Sequence, residues 1–429
     1  MLEMPSFKIL LHCENGSPPY LTPILLAKFF PSSNRLVQNH LVFGVAVGDS
    51  FVAPEYGSRS SIKKRGRLQP KNKIEVVTNK PIGYTFVGKS VREKLHIPAD
   101  YNVIACPSFD LIDDFGSANS KAKASTSNTE VTLLTPHGQQ KLSPSLFRQV
   151  VTEMQVPACV GLYDQPASNN SKRTRKSLER TKLWTEMATA DFGSKIWAPV
   201  IGGDDLSVRL RCIKNALAVD DIGGFALVGI QHIDNRARRQ ELLKRCMKEI
   251  PRDLPCGVLV SLDILQIIDA AASGVLYIGT ALPTTLARSN KALNIDLSAW
   301  RLHDRNNKGR ESDESERKRH RTGSLEPLDK VKTYFSEGGS IDLGSDVYVQ
   351  DMAPLVDGCA CLACSQHNRC YIHHLIKAKE LLAEILLFYH NLHSLLEIFE
   401  EMSKAASAGM STDFVEYVEL QLQGSVVAA

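Results

Sequence analysis

The 429-residue chain lacks three features that would sort it quickly. Its first residues, MLEMPSFKIL, have no basic stretch leading into a long apolar run, so no secretory leader is expected. Its longest apolar runs are broken by Gly, Asp or Lys well short of the ~20 residues that cross a bilayer, so no transmembrane segment is expected either. It also has no strong excess of one charge: 51 Lys and Arg stand against 47 Asp and Glu, a net charge of +4. That balance does not mark a nucleic-acid binder by composition, and local patches decide instead. What is present is an ordinary globular content of 43% hydrophobic residues, in a chain long enough for one large core with an appended module. There are ten cysteines, and without an export signal they are expected as reduced thiols. Four of them crowd into CACLACSQHNRC, residues 359–370, which favours a metal over disulfides.

Residues 156–281 are the most legible. VPACVGLY, KIWAPVIGG, GGFALVGI, CGVLVSL and GVLYIGTA are short, β-rich apolar runs. Amphipathic stretches at 171–189, 205–219, 235–249 and 263–272 separate them, which is β-α-β-α alternation with strands buried on both faces. Right-handed crossovers then give a parallel α/β sheet, and the glycines at strand ends together with the length favour a (β/α)8 TIM barrel over a doubly wound sheet. The expected layout is the main part of the barrel over 1–300, irregular in its first 150 residues and with an N-terminal β region. A disordered charged insert follows at 301–340, then a zinc subdomain with closing helices at 341–402 and a C-terminal tail at 403–429. The insert, with RLHDRNNKGRESDESERKRHRTGSL at 301–325, has almost no apolar residue to bury. SIKKRGRLQPKNK at 61–73 is basic and reads as a surface loop.

Cys359, Cys361 and Cys364 supply three soft ligands at C-x-C-x2-C spacing, and a tetrahedral zinc needs a fourth. His367, Cys370, His373, His374, His390 and His393 are the candidates. Apolar residues from Tyr371 to Met402 recur at helical spacing, and a straight helix from Tyr371 to His390 would be ~28 Å long. The seven steps from Cys364 to Tyr371 reach back at most ~24 Å. His390 can therefore join the thiols only if the helix breaks near IKAKE, residues 376–380; otherwise a nearer residue serves.

These residues resemble those of the tRNA-guanine transglycosylases. C-x-C-x2-C, RCYIHHLIKAKE and a histidine 25 residues on resemble that family's zinc site. The resemblance selects His390 as fourth ligand of one structural zinc per chain. TEVTLLTPHGQQKLSPSLF (129–147), GGFALVGI (223–230) and the stretch 251–284 resemble further segments of the family, so the match runs from about residue 100 to 400. It implies a (β/α)8 barrel with a zinc subdomain, and an exchange of guanine for queuine or its precursor at the wobble position of tRNAs with GUN anticodons. In the family an aspartate attacks the ribose C1′, where an oxocarbenium-like centre needs an anion beside it.

The same alignment shows departures. The family's F-D-C-V-L-P-T reads YIGTALPT here, which puts Gly279 at the nucleophile, beside Thr280. Its base-reading glutamine in V-Q-G-G is Ile201 here, which cannot hydrogen-bond a purine edge. Its D-S-G-G-F-Q loop is not recoverable: FDLIDDFGS at 109–117, with Asp110, Asp113 and Asp114, is the nearest text. Asp164 in GLYDQP matches a pocket aspartate, or caps a strand end. Of the arginines after L-P-T only Arg288 remains, for RNA phosphate or for solvent. The family contains non-catalytic members. The resemblance therefore implies a subunit that is no enzyme alone, forms a heterodimer with a catalytic queuine tRNA-ribosyltransferase subunit, and helps to hold tRNA. It also implies a cytoplasmic setting, peripheral on the mitochondrial outer membrane. Two alternatives compete: an active transglycosylase with a relocated acid, Asp164 or Asp263, and an unrelated zinc-stabilised barrel.

Overall fold

The computed structural model describes residues 7–13, 19–31, 34–46, 90–95, 97, 101–107, 129–135, 138–165, 171–259, 262–301 and 339–423. The basic loop 61–73, the FDLIDDFGS segment and residues 302–338 of the charged insert lie outside them.

The strands are β1 (Lys8–His12), β2 (Leu41–Ala46), β3 (Asn102–Cys106), β4 (Val131–Thr135), β5 (Gly138–Leu142), β6 (Ala158–Val160), β7 (Ile196–Val200), β8 (Gly224–Leu227), β9 (Cys256–Val258), β10 (Tyr277–Thr280), β11 (Lys291–Leu293) and β12 (Ser340–Asp342). The helices are α1 (Pro23–Phe29), α2 (Arg35–His40), α3 (Val91–Leu95), α4 (Pro144–Met154), α5 (Ser171–Phe192), α6 (Leu206–Leu217), α7 (Arg236–Glu249), α8 (Ile264–Ala272), α9 (Leu282–Arg288), α10 (Leu362–Gln366), α11 (Arg369–Lys377), α12 (Leu381–Ser407) and α13 (Ser411–Leu422).

Eight strands close a barrel in the order β1-β10-β9-β8-β7-β6-β3-β2, and the register pairs within it are parallel. The expected (β/α)8 barrel is therefore present. Its interior is packed rather than hollow. Leu10, Val42, Ile104, Val160, Trp197, Ala226 and Leu259 form an inner cluster, and Trp197 meets Tyr277 edge-on at 4.9 Å. The alternate residues, such as Ile9, Phe43, Val103, Ala198 and Phe225, face the helices in a much larger outer core.

The helices begin where short polar side chains cap them. Ser143 accepts from Leu146 N with Pro144 just inside the helix, so the L-S-P text is a helix start. Asp205 caps α6, Asn235 caps α7, and Asp263 forms a reciprocal capping box with Gln266 on α8.

Two expectations need correction. The first 150 residues are not an irregular prelude, because β1, β2 and β3 are already barrel strands, starting at Lys8. The helices between β1 and β2 span only seven and six residues, too short for a 3.6-residue period to show in sequence. Nor is 403–429 a tail throughout. Helix α12 continues to Ser407, and α13 buries Phe414, Val418 and Leu422. Phe414 stacks edge-on against Trp300 at 5.0 Å, and Tyr417 Oη donates to Asp296 O.

Candidate metal centre and the mouth of the barrel

The helix break that His390 requires is present. α11 ends at Lys377 and α12 starts at Leu381. Between them Lys379 takes a left-handed φ of 57°, while Lys379 N donates to Ile376 O and Glu380 N to Leu375 O. That six-to-one bond closes a helix end and reverses the chain, here without the glycine usual at such a position. α12 then runs back past the cysteine loop.

Donor atoms of Cys359, Cys361, Cys364 and His390 all lie within 4.8 Å of one another, so the four residues can hold a metal ion. His390 Nδ1 is 3.5 Å from Cys361 Sγ, 3.4 Å from Cys364 Sγ and 3.8 Å from Cys359 Sγ. The remaining ring nitrogen, Nε2, donates to Leu293 O at 2.8 Å, which fixes the tautomer and leaves Nδ1 as the lone-pair donor. Next along the helix, Asn391 Oδ1 accepts from Leu293 N and its amide donates to Lys291 O. The ligand-bearing helix is thus pinned to the segment that follows the last barrel strand and α9. Cys361 sits at the N-cap of α10 and accepts from Cys364 N at 3.3 Å. His390 is wholly buried and Cys361 nearly so.

The four donors share protons within this cluster. Hydrogen bonds with Cys361 and Cys364 pull the Cys359 thiol far below its ordinary pKa, and the Cys359 and Cys364 contacts push Cys361 far up. Burial lowers the His390 pKa, but hydrogen bonds with Cys359 and Cys364 outweigh it and raise the value to about 10. A divalent cation entering the cluster displaces these shared protons, so its binding strengthens as pH rises.

The other candidate ligands are placed elsewhere. Cys370 Sγ donates to Val349 O, His373 Nδ1 bonds Leu343 O, and His367 stacks on Tyr371 at 4.9 Å. His393, one turn beyond His390, brings Nδ1 to 3.8 Å from Cys359 Sγ but does not join the four. In the sequence it was one of the candidates that the resemblance set aside in favour of His390.

At the mouth of the barrel, Gly279 lies on β10 opposite Leu10 of β1, two residues beyond Tyr277 and so on the inward face. The adjacent Thr280 hydroxyl is already used: it donates to Leu262 O and accepts from Leu282 N. Ile201 follows β7, fully buried in the outer apolar cluster.

Asp164 follows β6 and is buried with its carboxylate in a cage from α5. Arg173 reaches it with two nitrogens, at 2.5 and 2.6 Å, Arg180 at 2.8 Å and Ser177 Oγ at 3.1 Å. Burial raises its pKa, but the two guanidinium contacts outweigh that and hold it below the usual carboxylate value. A carboxylate so paired is a clamp between a strand end and the next helix. Asp263, the other relocated-acid candidate, is spent on its capping box. Arg288 is exposed at the end of α9, and its guanidinium hydrogen-bonds Tyr20, whose hydroxyl also donates to Glu384 at 2.5 Å.

One titratable group at the mouth was missed in the sequence. His12 ends β1 two residues after the inward-facing Leu10, and burial lowers its pKa to about 3, so the ring is neutral at physiological pH. The alternation along KILLH carries the signal that could have found it.

The fold and cluster together define a (β/α)8 barrel with a C-terminal Cys3His module. Comparison with known proteins narrows this. The family model described as queuine tRNA-ribosyltransferase matches residues 105–423, and the chain belongs to that family. Among curated relatives, it is similar to queuine tRNA-ribosyltransferase accessory subunit 2 of Drosophila virilis, 24% identical over 309 residues, which are 68% of this chain and 66% of the relative. The same-named protein of Drosophila grimshawi is 24% identical over 304 residues, 68% and 65% of the two chains. That of Culex quinquefasciatus is 22% identical over 297 residues, 66% and 62%. The chain thus spans just under two-thirds of the length of these relatives. Among the described residues, no helix is long and apolar enough to cross a membrane.

Proposed function

We propose that this chain is the non-catalytic subunit of a heterodimeric queuine tRNA-ribosyltransferase, holding one structural zinc and helping to position tRNA for a catalytic partner. The observation that carries the reading is Gly279. It stands on the inward face of β10, at the mouth of the barrel, where the resemblance requires a nucleophilic aspartate. Among the described residues, no neighbour takes over. The Thr280 hydroxyl is consumed by backbone partners, Asp164 is held between two arginines, and Asp263 caps a helix. Ile201 offers no polar edge for a base. The relatives' name, accessory subunit 2, supports the same reading.

The Cys3His donor set supports zinc: three thiolates and one imidazole, the latter oriented by Leu293 O, are the complement of a closed tetrahedral site, which would leave no position for substrate. Zinc there would tie the cysteine loop to α12, and its role is to hold shape. The partner surface is supported by exposed apolar side chains beside the module. Val347, Met352 and Leu381 are 75%, 72% and 62% exposed, with Val349, Tyr371 and Leu382 near them in sequence. We take these exposed apolar side chains as part of the partner surface, and two homologous barrels meeting about a pseudo-two-fold axis is the simplest geometry for it. The setting we propose is cytoplasmic, with any attachment to the mitochondrial surface peripheral.

Co-expression with a catalytic homologue tests the pairing. A 1:1 complex is expected, weakened at least tenfold by Met352→Glu with Leu381→Glu. Failure to recover any complex under conditions where both chains are folded contradicts it.

A further inference from the structure

A groove of about 560 Å³ lies on the C-terminal side of the barrel, and neither the metal centre nor the Gly279 position accounts for it. It lies between the start of α5 and the start of α6. Lys172 and Arg175, one turn apart, line one wall; Arg211 lines the other; Gly202 and Gly203 form the floor. We propose that this groove binds the phosphates of an RNA backbone. The inference rests on the tRNA-positioning role proposed above and names the surface that carries it out.

Three observations support it. First, the fixed charge is positive. The one carboxylate on the lining, Asp205, is already spent as the N-cap of α6, accepting from Ser207 N and Val208 N. Arg175 has only a loose contact with Glu179 at 3.7 Å. Second, a further cation is buried beneath the floor. Arg209 is 0% exposed, and its guanidinium donates to the carbonyl oxygens of Gly203, Val200 and Val228. Carbonyls satisfy its N–H groups but do not neutralise its charge, which Asp204 beside the glycine pair offsets only in part, so an anion above the glycine pair gains from it. The floor is glycine for a related reason. A Cβ at Gly202 would meet Arg209 Cγ at 2.8 Å, and its φ of +145° is strained for other residues. Third, the lining has no aromatic side chain on which a base could stack; beyond its charged and hydroxyl groups it offers only Leu178 and Val208 as larger apolar surface. Such a groove contacts backbone and does not read bases, as expected of a surface that positions RNA for chemistry done elsewhere. It opens on the side of the barrel where β10 ends at Thr280, so RNA held there lies across the mouths of the barrels.

The test uses the full chain, alone and in complex with its catalytic partner, and compares two triple variants of equal charge change. One is Lys172→Ala, Arg175→Ala, Arg211→Ala in the groove. The other is Lys244→Ala, Arg245→Ala, Lys248→Ala on the exposed face of α7. Affinity for labelled tRNA is measured across a salt series, with thermal melting as the fold check. The groove triple is expected to weaken binding at least tenfold near physiological salt and to flatten log K against log[salt] by about two, since each phosphate contact contributes a slope of roughly 0.7 to 0.9. The α7 triple is expected to stay within twofold of wild type. Equal losses in both triples, or none in the groove triple, overturn the proposal. Inorganic phosphate is titrated in parallel: saturable phosphate binding lost in the groove triple, with tRNA affinity unmoved, would mark a free-phosphate site and overturn the RNA assignment. Complex formation is scored separately by mass, so a missing partner contradicts the accessory-subunit reading without deciding the groove.

Discussion

Replacing His390 with alanine separates what the imidazole does as a ligand from what it does as packing. The ring is wholly buried, donates to Leu293 O at 2.8 Å and faces three sulfurs between 3.4 and 3.8 Å away. Its removal leaves a void worth about 3 kcal/mol and strips a buried carbonyl of a hydrogen bond worth about 1 kcal/mol. Some 4 kcal/mol should therefore be lost even when both proteins are metal-free. The ligand contribution comes on top and exceeds the 10- to 100-fold in metal affinity that losing an outer-shell partner costs. The assay is a cycle: zinc content by mass spectrometry, then denaturant unfolding of wild type and His390→Ala with and without a chelator. Chelation should destabilise the wild type strongly and the variant hardly at all, and zinc should fall from one per chain to well below it. His393 also places Nδ1 3.8 Å from Cys359 and could take the vacated position, so His390→Ala with His393→Ala belongs in the series. One zinc per chain retained by the double variant would refute the reasoning.

Three further outcomes follow from the geometry. Asp164→Ala leaves Arg173 and Arg180 without their carboxylate and should cost about 3 kcal/mol in unfolding free energy. Because the folded pKa of Asp164 is lowered, its stabilisation is fully present above the unfolded carboxylate value and is lost as pH falls through the folded one; an Asp164→Asn variant should show a shallower acid limb, and an unchanged limb would contradict the clamp. Gly223→Ala should be severely destabilising by thermal melting, since a Cβ there would overlap the backbone carbonyl of Ser194, whereas a melt within a few degrees of wild type would mean that loop is free to move. Lys379→Gly should be neutral to stabilising by up to ~1 kcal/mol because it relieves a left-handed residue between α11 and α12, and a clear loss of stability would place the helix break elsewhere.

Sequence reasoning went furthest where period and chemistry were both strong. The amphipathic stretches expected at 205–219, 235–249 and 263–272 are helices at Leu206–Leu217, Arg236–Glu249 and Ile264–Ala272, because each starts at a short polar cap and keeps one apolar face. The helix break near 376–380 came from length and resemblance together: length left a choice between a break and a nearer ligand, and the resemblance, by selecting His390, required the break. The first barrel strands were obscure because their connecting helices are too short to show a period, and α13 because Met410, at its N-cap, makes no side-chain cap bond. The Asp164 cage was invisible for another reason. Nothing in the sequence singles out Arg173 and Arg180 within the amphipathic stretch 171–189, and only the packing of α5 against the end of β6 brings them onto one carboxylate. Arg209 carries no sequence signal either, yet its guanidinium bridges the ends of two strands.

The central claim, that this barrel keeps its shape and has given up its chemistry, is tested most directly by guanine exchange. Labelled guanine is offered with cognate tRNA to the zinc-loaded chain alone, to the catalytic homologue alone and to the two together. The account predicts no exchange above background by this chain, whose β10 carries Gly279 on its inward face, and full exchange by the pair. Sustained turnover by this chain alone would contradict it.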